Sequence, residues 1–325
     1  MTAKITPRIY QNNRIPLCNV LPLETPIQLF IDPSSACNFS CKFCYHATNE
    51  EFVSNDVMSM NTFEKLINDM EEFPHPFTVV KLYGFGEPLI NKNIARMVGM
   101  LKYSGVAARV ELTTNGWLLT HETSDNLMSA GLDRIIISVN GLDDKQYREI
   151  TGSPVKFEKY VEKIKYLYEH RDNCIVHVKT HINTVEGKES AFFEAFKRVS
   201  NEMFIENVVP LWPDVKSDVK TERGCYCQPV VPVKICPYIF YGMTVQANGQ
   251  VSACFMDWDR KLIVGDIHKE SLRDIWNGSK LNALRVSHLK YNGDAHQSCR
   301  TCGQIIYGQA DNIEPCRERL LKEMM

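Results

Sequence analysis

Cys37, Cys41 and Cys44 stand in the stretch Ala36-Cys37-Asn38-Phe39-Ser40-Cys41-Lys42-Phe43-Cys44-Tyr45, a C-x-x-x-C-x-x-C run. Three thiolates packed this closely can wrap one corner of an iron–sulfur cubane. They cannot supply its fourth ligand, so one iron is left open to an exogenous molecule. The alternatives are a zinc knuckle or unpaired buried thiols, but zinc sites usually take four ligands in paired C-x-x-C units. A second constellation comprises Cys236, Cys254, Cys299 and Cys302, the last two forming a C-x-x-C pair. Four thiolates can close a cluster or a structural zinc site. Cys225, Cys227 and Cys316 read as unligated or supporting thiols, with ligation as the alternative, and Cys18 and Cys174 as isolated core cysteines.

The elements that must position these cysteines alternate between strand and helix. Short β-branched apolar runs at 27–31, 79–83, 109–113, 135–139, 175–182 and 204–209 predict strands of a parallel sheet buried on both faces. Phe63, Leu66, Ile67 and Met70 recur at helical spacing, and Asn61 with Glu64 predicts a capping-box start. Helical spacing returns over 94–101 and at Val161, Ile164, Leu167 and Tyr168. Six β-α units with right-handed crossovers curl into a partial, TIM-like (β/α)6 barrel of the α/β class, whose working residues lie at the C-terminal strand ends. Beyond residue 210, Pro213, Gly224, Pro229 and Pro232 punctuate a polar connector. Residues 243–254 then alternate about Asn248-Gly249, which predicts a type I′ hairpin, and Ser271 caps a short helix bearing Leu272, Ile275 and Trp276. The expected organisation is an N-terminal extension (1–26), a partial barrel (27–210), a connector (211–235) and a small cysteine-rich module (236–325).

The 325 residues suit one large domain plus a small one, and 44% hydrophobic with 23% charged residues is ordinary globular composition. A net charge of −2 gives no footing for a nucleic-acid or acidic-membrane partner. No apolar run behind a basic start marks an export signal, and no stretch approaches the ~20 apolar residues of a membrane helix. Twelve cysteines without an export signal point to metal or cluster ligation in a reducing cytoplasm.

An aromatic residue, Phe43, precedes the third cysteine, and the second strand runs into Tyr83-Gly84-Phe85-Gly86-Glu87-Pro88. In these features the chain resembles the radical S-adenosylmethionine (SAM) superfamily. The resemblance implies a 4Fe–4S cluster on Cys37, Cys41 and Cys44 whose open iron SAM chelates. One electron then cleaves SAM to a 5′-deoxyadenosyl radical that abstracts a substrate hydrogen. Gly84, Gly86 and Glu87 are implied to receive the methionine end of SAM, although Phe85 stands where the motif's first glycine falls. Ser138 and Asn140 would face the ribose or carboxylate of SAM and Asn115 would support that wall, each being equally a turn former. Phe43 fills the signature's aromatic place, and Tyr45 would stack on adenine, with packing as the alternative. Arg109, Lys179, His181 and Trp212 are candidate pocket residues.

The second cysteine set, with Gly249 five positions before Cys254 and the segments 264–267 and 272–276, resembles the SPASM domain of radical SAM enzymes. The longer SPASM pattern continues with further cysteines, but Gly308 stands where the next is due and only Cys316 follows. That departure favours the truncated form, twitch, with one auxiliary 4Fe–4S cluster held by four cysteines. The resemblance implies an oxidoreductase acting on a polar small molecule of sugar or aminocyclitol type, the auxiliary cluster accepting an electron. It also implies an external flavodoxin- or ferredoxin-type electron donor. A peptide- or protein-modifying maturase is the alternative within the family, and some 26 residues before the first strand leave little room for a leader-recognition domain. The alternative of another class is a non-catalytic iron–sulfur carrier or scaffold, which would need no site for the SAM amine. Epimerisation would need a thiol or similar hydrogen donor near the radical, for which Cys225 or Cys227 is a candidate.

Overall fold

The computed structural model describes residues 2–9, 15–48, 54–212, 222–308 and 311–325. Among them ten strands form one sheet: β1 (Lys4–Ile5), β2 (Gln28–Ile31), β3 (Val79–Leu82), β4 (Val110–Thr114), β5 (Arg134–Ser138), β6 (Ile175–His181), β7 (Glu202–Glu206), β8 (Gly242–Val245), β9 (Gln250–Ser252) and β10 (Ile263–Asp266). Their order is β1-β7-β6-β5-β4-β3-β2-β8-β9-β10. From β2 to β7 every ladder is parallel, as crossover helices require. The helices are α1 (Tyr45–Thr48), α2 (Met60–Glu71), α3 (Ile94–Ser104), α4 (His121–Ser129), α5 (Asp144–Thr151), α6 (Phe157–Glu169), α7 (Ile182–Val185) and α8 (Glu189–Phe196). Their apolar stripes, such as Phe63, Leu66, Ile67 and Met70 of α2, are buried in the core shared with the outward residues of the strands.

Five of the six expected strands begin within a residue of their predicted starts; the sixth, β7, lies earlier than 204–209 because its inward positions are Glu202 and Glu206. Helix α2 starts at Met60, capped by Ser59, whose Oγ accepts the Thr62 N–H; Asn61 falls inside the first turn, and Glu64 pairs with Arg96 at 2.8 Å. The N-terminal extension is also part of the sheet, because β1 pairs in parallel with the outer side of β7.

On the other flank, β8 pairs in parallel with β2, so the sheet runs unbroken into the second module. The β8–β9 hairpin closes by Gly249 N–H to Gln246 O at 2.9 Å and Gln246 N–H to Gln250 O at 2.8 Å, with only Gly249 at positive φ (87°). This is a type I turn with a left-handed glycine, not the expected type I′, since Asn248 keeps a negative φ. Helices α9 (Leu272–Asn277), α10 (Ser279–Leu289), α11 (Gln297–Arg300), α12 (Gln304–Tyr307) and α13 (Arg317–Met324) complete the chain. Ser271 caps α9 as expected, and Trp276, fully buried, donates its indole N–H to Leu23 O at 3.0 Å. Cys18 is no isolated core thiol: it forms a disulfide with Cys316, tying the segment before β2 to the start of α13.

Candidate cluster and SAM site

The Cys37–Cys44 loop leaves the C-terminal end of β2 and is held from two sides. Ser40 N–H and Lys42 N–H donate to Thr151 O and Ile150 O at 2.9 and 3.0 Å, and Glu87 N–H donates to Ala36 O at 2.8 Å. The last contact explains Gly86. A Cβ there would lie 2.2 Å from Ala36 O and 2.5 Å from Ser34 O, so only glycine lets the β3 turn press against the cysteine loop. Gly84 is similar, its absent Cβ falling 2.5 Å from Asp32 Cβ.

Phe85, the departure from the motif, is buried against Tyr45 with ring centroids 5.9 Å apart, and its carbonyl accepts the Tyr45 hydroxyl at 2.7 Å. Tyr45 sits among Phe85, Trp212 and Trp258, linking the cysteine loop to the second module. This is the packing alternative for Tyr45. Asp32, which sequence reasoning passed over, is wholly buried beside them and accepts from Ser35 Oγ at 2.5 Å and Phe85 N–H at 3.2 Å. Burial raises its carboxyl to about 6 against those two bonds.

Glu87 is buried, and its oxygens accept from Thr114 Oγ1 (2.6 Å), Asn115 N–H (2.7 Å) and Leu89 N–H (3.0 Å). Burial lifts it to about 7 despite those donors. The carboxylate thus locks the end of β3 to the end of β4. Asn115 reaches across to Asn38 Oδ1 at 2.8 Å, so it braces the cysteine loop. Asn140 points its amide at Cys41 Sγ, 3.6 Å away, and Ser138 ends β5 just before it, half-buried. Phe43 is half-exposed and meets the His181 ring edge-on at 5.3 Å. The structure therefore gathers the residues expected from β2, β3, β4 and β5 at one mouth, while Arg109 lies at the opposite strand end, paired with Glu111 at 2.9 Å.

No disulfide joins any of Cys37, Cys41 and Cys44 to another, and Cys37 and Cys41 feel their neighbours. Burial raises Cys37 to about 11 against the Phe39 N–H, with Glu87 and Cys44 adding to the rise. Burial, then Cys44 and Cys37, raise Cys41 further, and burial raises Cys44 against the His46 N–H. In the second module Cys236, Cys254, Cys299 and Cys302 likewise act on one another without a disulfide. Met256 N–H approaches Cys254 Sγ at 3.4 Å and Gln304 N–H approaches Cys302 Sγ at 3.5 Å.

The profile of the Radical SAM superfamily matches residues 31–190, and that of SPASM, an iron–sulfur cluster-binding domain, matches 236–303. The chain belongs to the radical SAM superfamily. It is a radical SAM enzyme with a SPASM/twitch-type C-terminal domain, an oxidoreductase whose cofactors are a SAM-binding 4Fe–4S cluster and an auxiliary cluster. Among curated relatives, a tungsten-containing aldehyde ferredoxin oxidoreductase cofactor-modifying protein of Pyrococcus furiosus is 24% identical over 322 aligned positions, covering 84% of this chain and 86% of the relative. An S-adenosyl-L-methionine-dependent 2-deoxy-scyllo-inosamine dehydrogenase of Niallia circulans is 20% identical over 275, covering 85% and 92%. A probable GTP 3′,8-cyclase of Methanococcus vannielii is 33% identical but covers only 40% of this chain and 42% of its own length.

Among solved structures, BtrN in complex with AdoMet and 2-DOIA superposes with a TM-score of 0.54 at 18% identity, over 85% of this chain and 92% of BtrN. An AdoMet-bound anSMEcpe superposes at 0.62 and 15%, over 92% and 93%. These likenesses show the shared fold. Among the described residues no helix is long and apolar enough to cross a membrane.

The thiols of this radical SAM protein fit its clusters. Each set is a partly buried group of sulfurs whose thiolate form needs a cation, and backbone N–H groups are already aimed at several of them. Gly308, where the longer cysteine pattern would continue, is closely packed. A Cβ there would lie 2.3 Å from Gln304 Nε2, and its carbonyl already accepts the Tyr238 hydroxyl at 2.8 Å. With Cys316 in the disulfide to Cys18, the thiols left outside both sets are Cys174, Cys225 and Cys227.

Proposed function

We propose that Cys37, Cys41 and Cys44 hold the SAM-binding cluster and that Cys236, Cys254, Cys299 and Cys302 hold one auxiliary cluster. The enzyme then removes a hydrogen from a polar small molecule of sugar or aminocyclitol type. When bound, SAM and the first cluster supply a 5′-deoxyadenosyl radical, and the fully ligated auxiliary cluster supplies a sink for the substrate's remaining electron. The barrel (27–210) and the cysteine-rich module (236–325) divide these tasks across the connector. A flavodoxin- or ferredoxin-type protein would deliver electrons from outside, in the cytoplasm.

The chain's own part is positional. Gly84, Gly86 and Glu87 shape the turn that takes the methionine end of SAM, and Asn115 braces it. Ser138 and Asn140 line the next wall, with Asn140 also on Cys41. Phe43 meets His181 edge-on, and Tyr45 supports the loop by packing on Phe85, Trp212 and Trp258. The observation that supports the dehydrogenase reading is that Gly308 stands where a further cysteine is due and Cys316 is bridged to Cys18, which leaves Cys236, Cys254, Cys299 and Cys302 for one auxiliary cluster. A relative similar over nearly its whole length bears the name of an aminocyclitol dehydrogenase.

The test is anaerobic reconstitution with iron, sulfide and zinc measured per chain. About eight irons are expected, falling to about four when Cys37, Cys41 and Cys44 are replaced by Ala. The wild type should cleave SAM to 5′-deoxyadenosine on reduction. About four irons with one zinc would remove the electron sink and sink the dehydrogenase reading.

A further inference from the structure

The barrel's inner face carries two polar levels. In the lower one, Lys81 and Arg134 face Glu111 and Glu202, two cations to two anions, with Arg134 at 2.5 Å from Glu202 and 4.0 Å from Glu111. His177, fully buried, completes that level 3.1 Å from Glu202, held below its ordinary pKa by burial. Arg109, at the rim, is half-exposed.

The upper level does not balance. Glu206, wholly buried at the C-terminal end of β7, is its one carboxylate among the described residues, 2.7 Å from Lys179 Nζ on β6. Arg8, delivered by the segment after β1, brings its Nε to 2.6 Å from Glu206 Oε1, inside ion-pair range though off the hydrogen-bonding direction. Among the described residues the other titratable groups on this level are uncharged, and from the level below Lys81 faces Arg8 as a further cation. Burial raises Tyr83, Tyr226 and the Cys225 thiol above their ordinary values, and burial with Lys179 lowers His181 to about 4. Among the described residues two cations therefore meet one anion on this level, and a net positive charge is held largely out of water, which is costly unless an anion arrives.

The unused donors point the same way. Among the described residues, Arg8 Nε, whose guanidinium lies over the Tyr226 ring at 5.6 Å, and the buried Nδ1 of His181 have no hydrogen-bond partner. Lys179, 8% exposed, has Glu206 as its one hydrogen-bond partner there.

The position is that of a substrate site. His181 touches Phe43 of the first cysteine loop at 5.3 Å. The chain leaving Glu206 accepts at Leu211 O from Gly303 N–H at 3.3 Å and from Cys302 Sγ at 3.7 Å. The unbalanced cluster thus lies between the two cysteine sets.

We infer that Arg8 and Lys179, set by Glu206 and flanked by His181, form an oxyanion subsite that selects a small-molecule substrate bearing a carboxylate or phosphate. The inference rests on the reading of this protein as a small-molecule radical SAM enzyme and narrows its substrate class. Arg8 suits the fork of a carboxylate or phosphate, and Lys179 adds a point charge.

The test is calorimetric titration of the reconstituted, SAM-loaded enzyme with glucuronate, glucose 6-phosphate and glucose, alongside 5′-deoxyadenosine release from the same preparations. One anion should bind at least about tenfold more tightly than glucose, and the tighter of the two tells carboxylate from phosphate. Arg8→Gln should abolish that preference, Arg8→Lys should keep part of it, and Arg96→Gln, on the outer surface, should leave it intact. Arg8 sits on a terminal segment, so its variants test the site without removing the carboxylate at its centre. Glucose binding as tightly as both anions, no anion binding at millimolar concentration, or a preference that survives Arg8→Gln would each overturn the inference. SAM cleavage without anion preference would leave the proposed function standing. Arg8-dependent anion binding without SAM cleavage would do the reverse.

Discussion

Gly86→Ala tests how the SAM turn is built. The new Cβ would lie 2.2 Å from Ala36 O, 2.5 Å from Ser34 O and 2.5 Å from the Ser35 carbonyl carbon. Ordinary carbon contacts lie near ~3.5 Å, so the β3 turn and the cysteine loop must part by about 1 Å. All three obstacles are backbone, so no side chain can swing away to absorb the strain. Overpacking of this kind typically costs about 1–3 kcal/mol, and a displacement of about 1 Å at a reacting centre can lower a rate on the order of 100-fold. The assay is anaerobic reconstitution followed by SAM titration and iron analysis. SAM binding should weaken at least about tenfold while the auxiliary iron stays. Gly99→Ala is the matched control: it lies within α3, its Cβ would meet only Ala130 Cβ at 3.8 Å, and it should stabilise the fold by about 0.5–1 kcal/mol. Unchanged SAM affinity in Gly86→Ala would refute the claim that close backbone approach positions the loop.

Asn140→Ala removes the amide aimed at Cys41 Sγ and should shift the first cluster's reduction potential to more negative values, read by potentiometric titration; an unchanged potential would exclude that contact. Burial alone would raise the Glu206 carboxyl, but Arg8, Lys179 and His181 outweigh it and hold it at about 2 against the ordinary 4.5. Its stabilising contribution, on the order of 3 kcal/mol, is therefore present above about pH 4.5 and lost as pH falls through about 2. Denaturant unfolding of the cluster-free chain at several acid pH values should show a slope that Glu206→Gln flattens. Ser59→Ala deletes the cap of α2 and should cost about 1 kcal/mol in the same unfolding assay.

The family was legible because the two cysteine runs stand inside the stretches that its profiles match, 31–190 and 236–303. Five parallel strands were legible because burial on both faces selects short β-branched runs such as Ile135-Ile136-Ile137. The same logic misplaced β7, where Glu202 and Glu206 turn into a polar interior and break the apolar pattern. Strand β1 and Arg8 left no signal, since two strand residues show no period and their partners are remote in sequence. Ser59 outcompeted Asn61 as the cap because its hydroxyl reaches Thr62 N–H from an extended residue just before the helix. The Cys18–Cys316 pairing was equally illegible, because spacing says nothing about which distant thiols meet.

The ladder from β2 to β8 carries a consequence for biogenesis. The strand that presents the first cysteine loop has β3 on one side from early in synthesis, but its other edge stays open until β8 emerges from the ribosome. A chain ending at the barrel boundary would expose that row of unpaired backbone groups, all four residues of β2 otherwise being buried, and would be prone to aggregate. The nascent chain therefore has a window in which its radical-generating half is exposed on one flank. Cluster loading that waits for the second module would find the first loop already walled in on both sides.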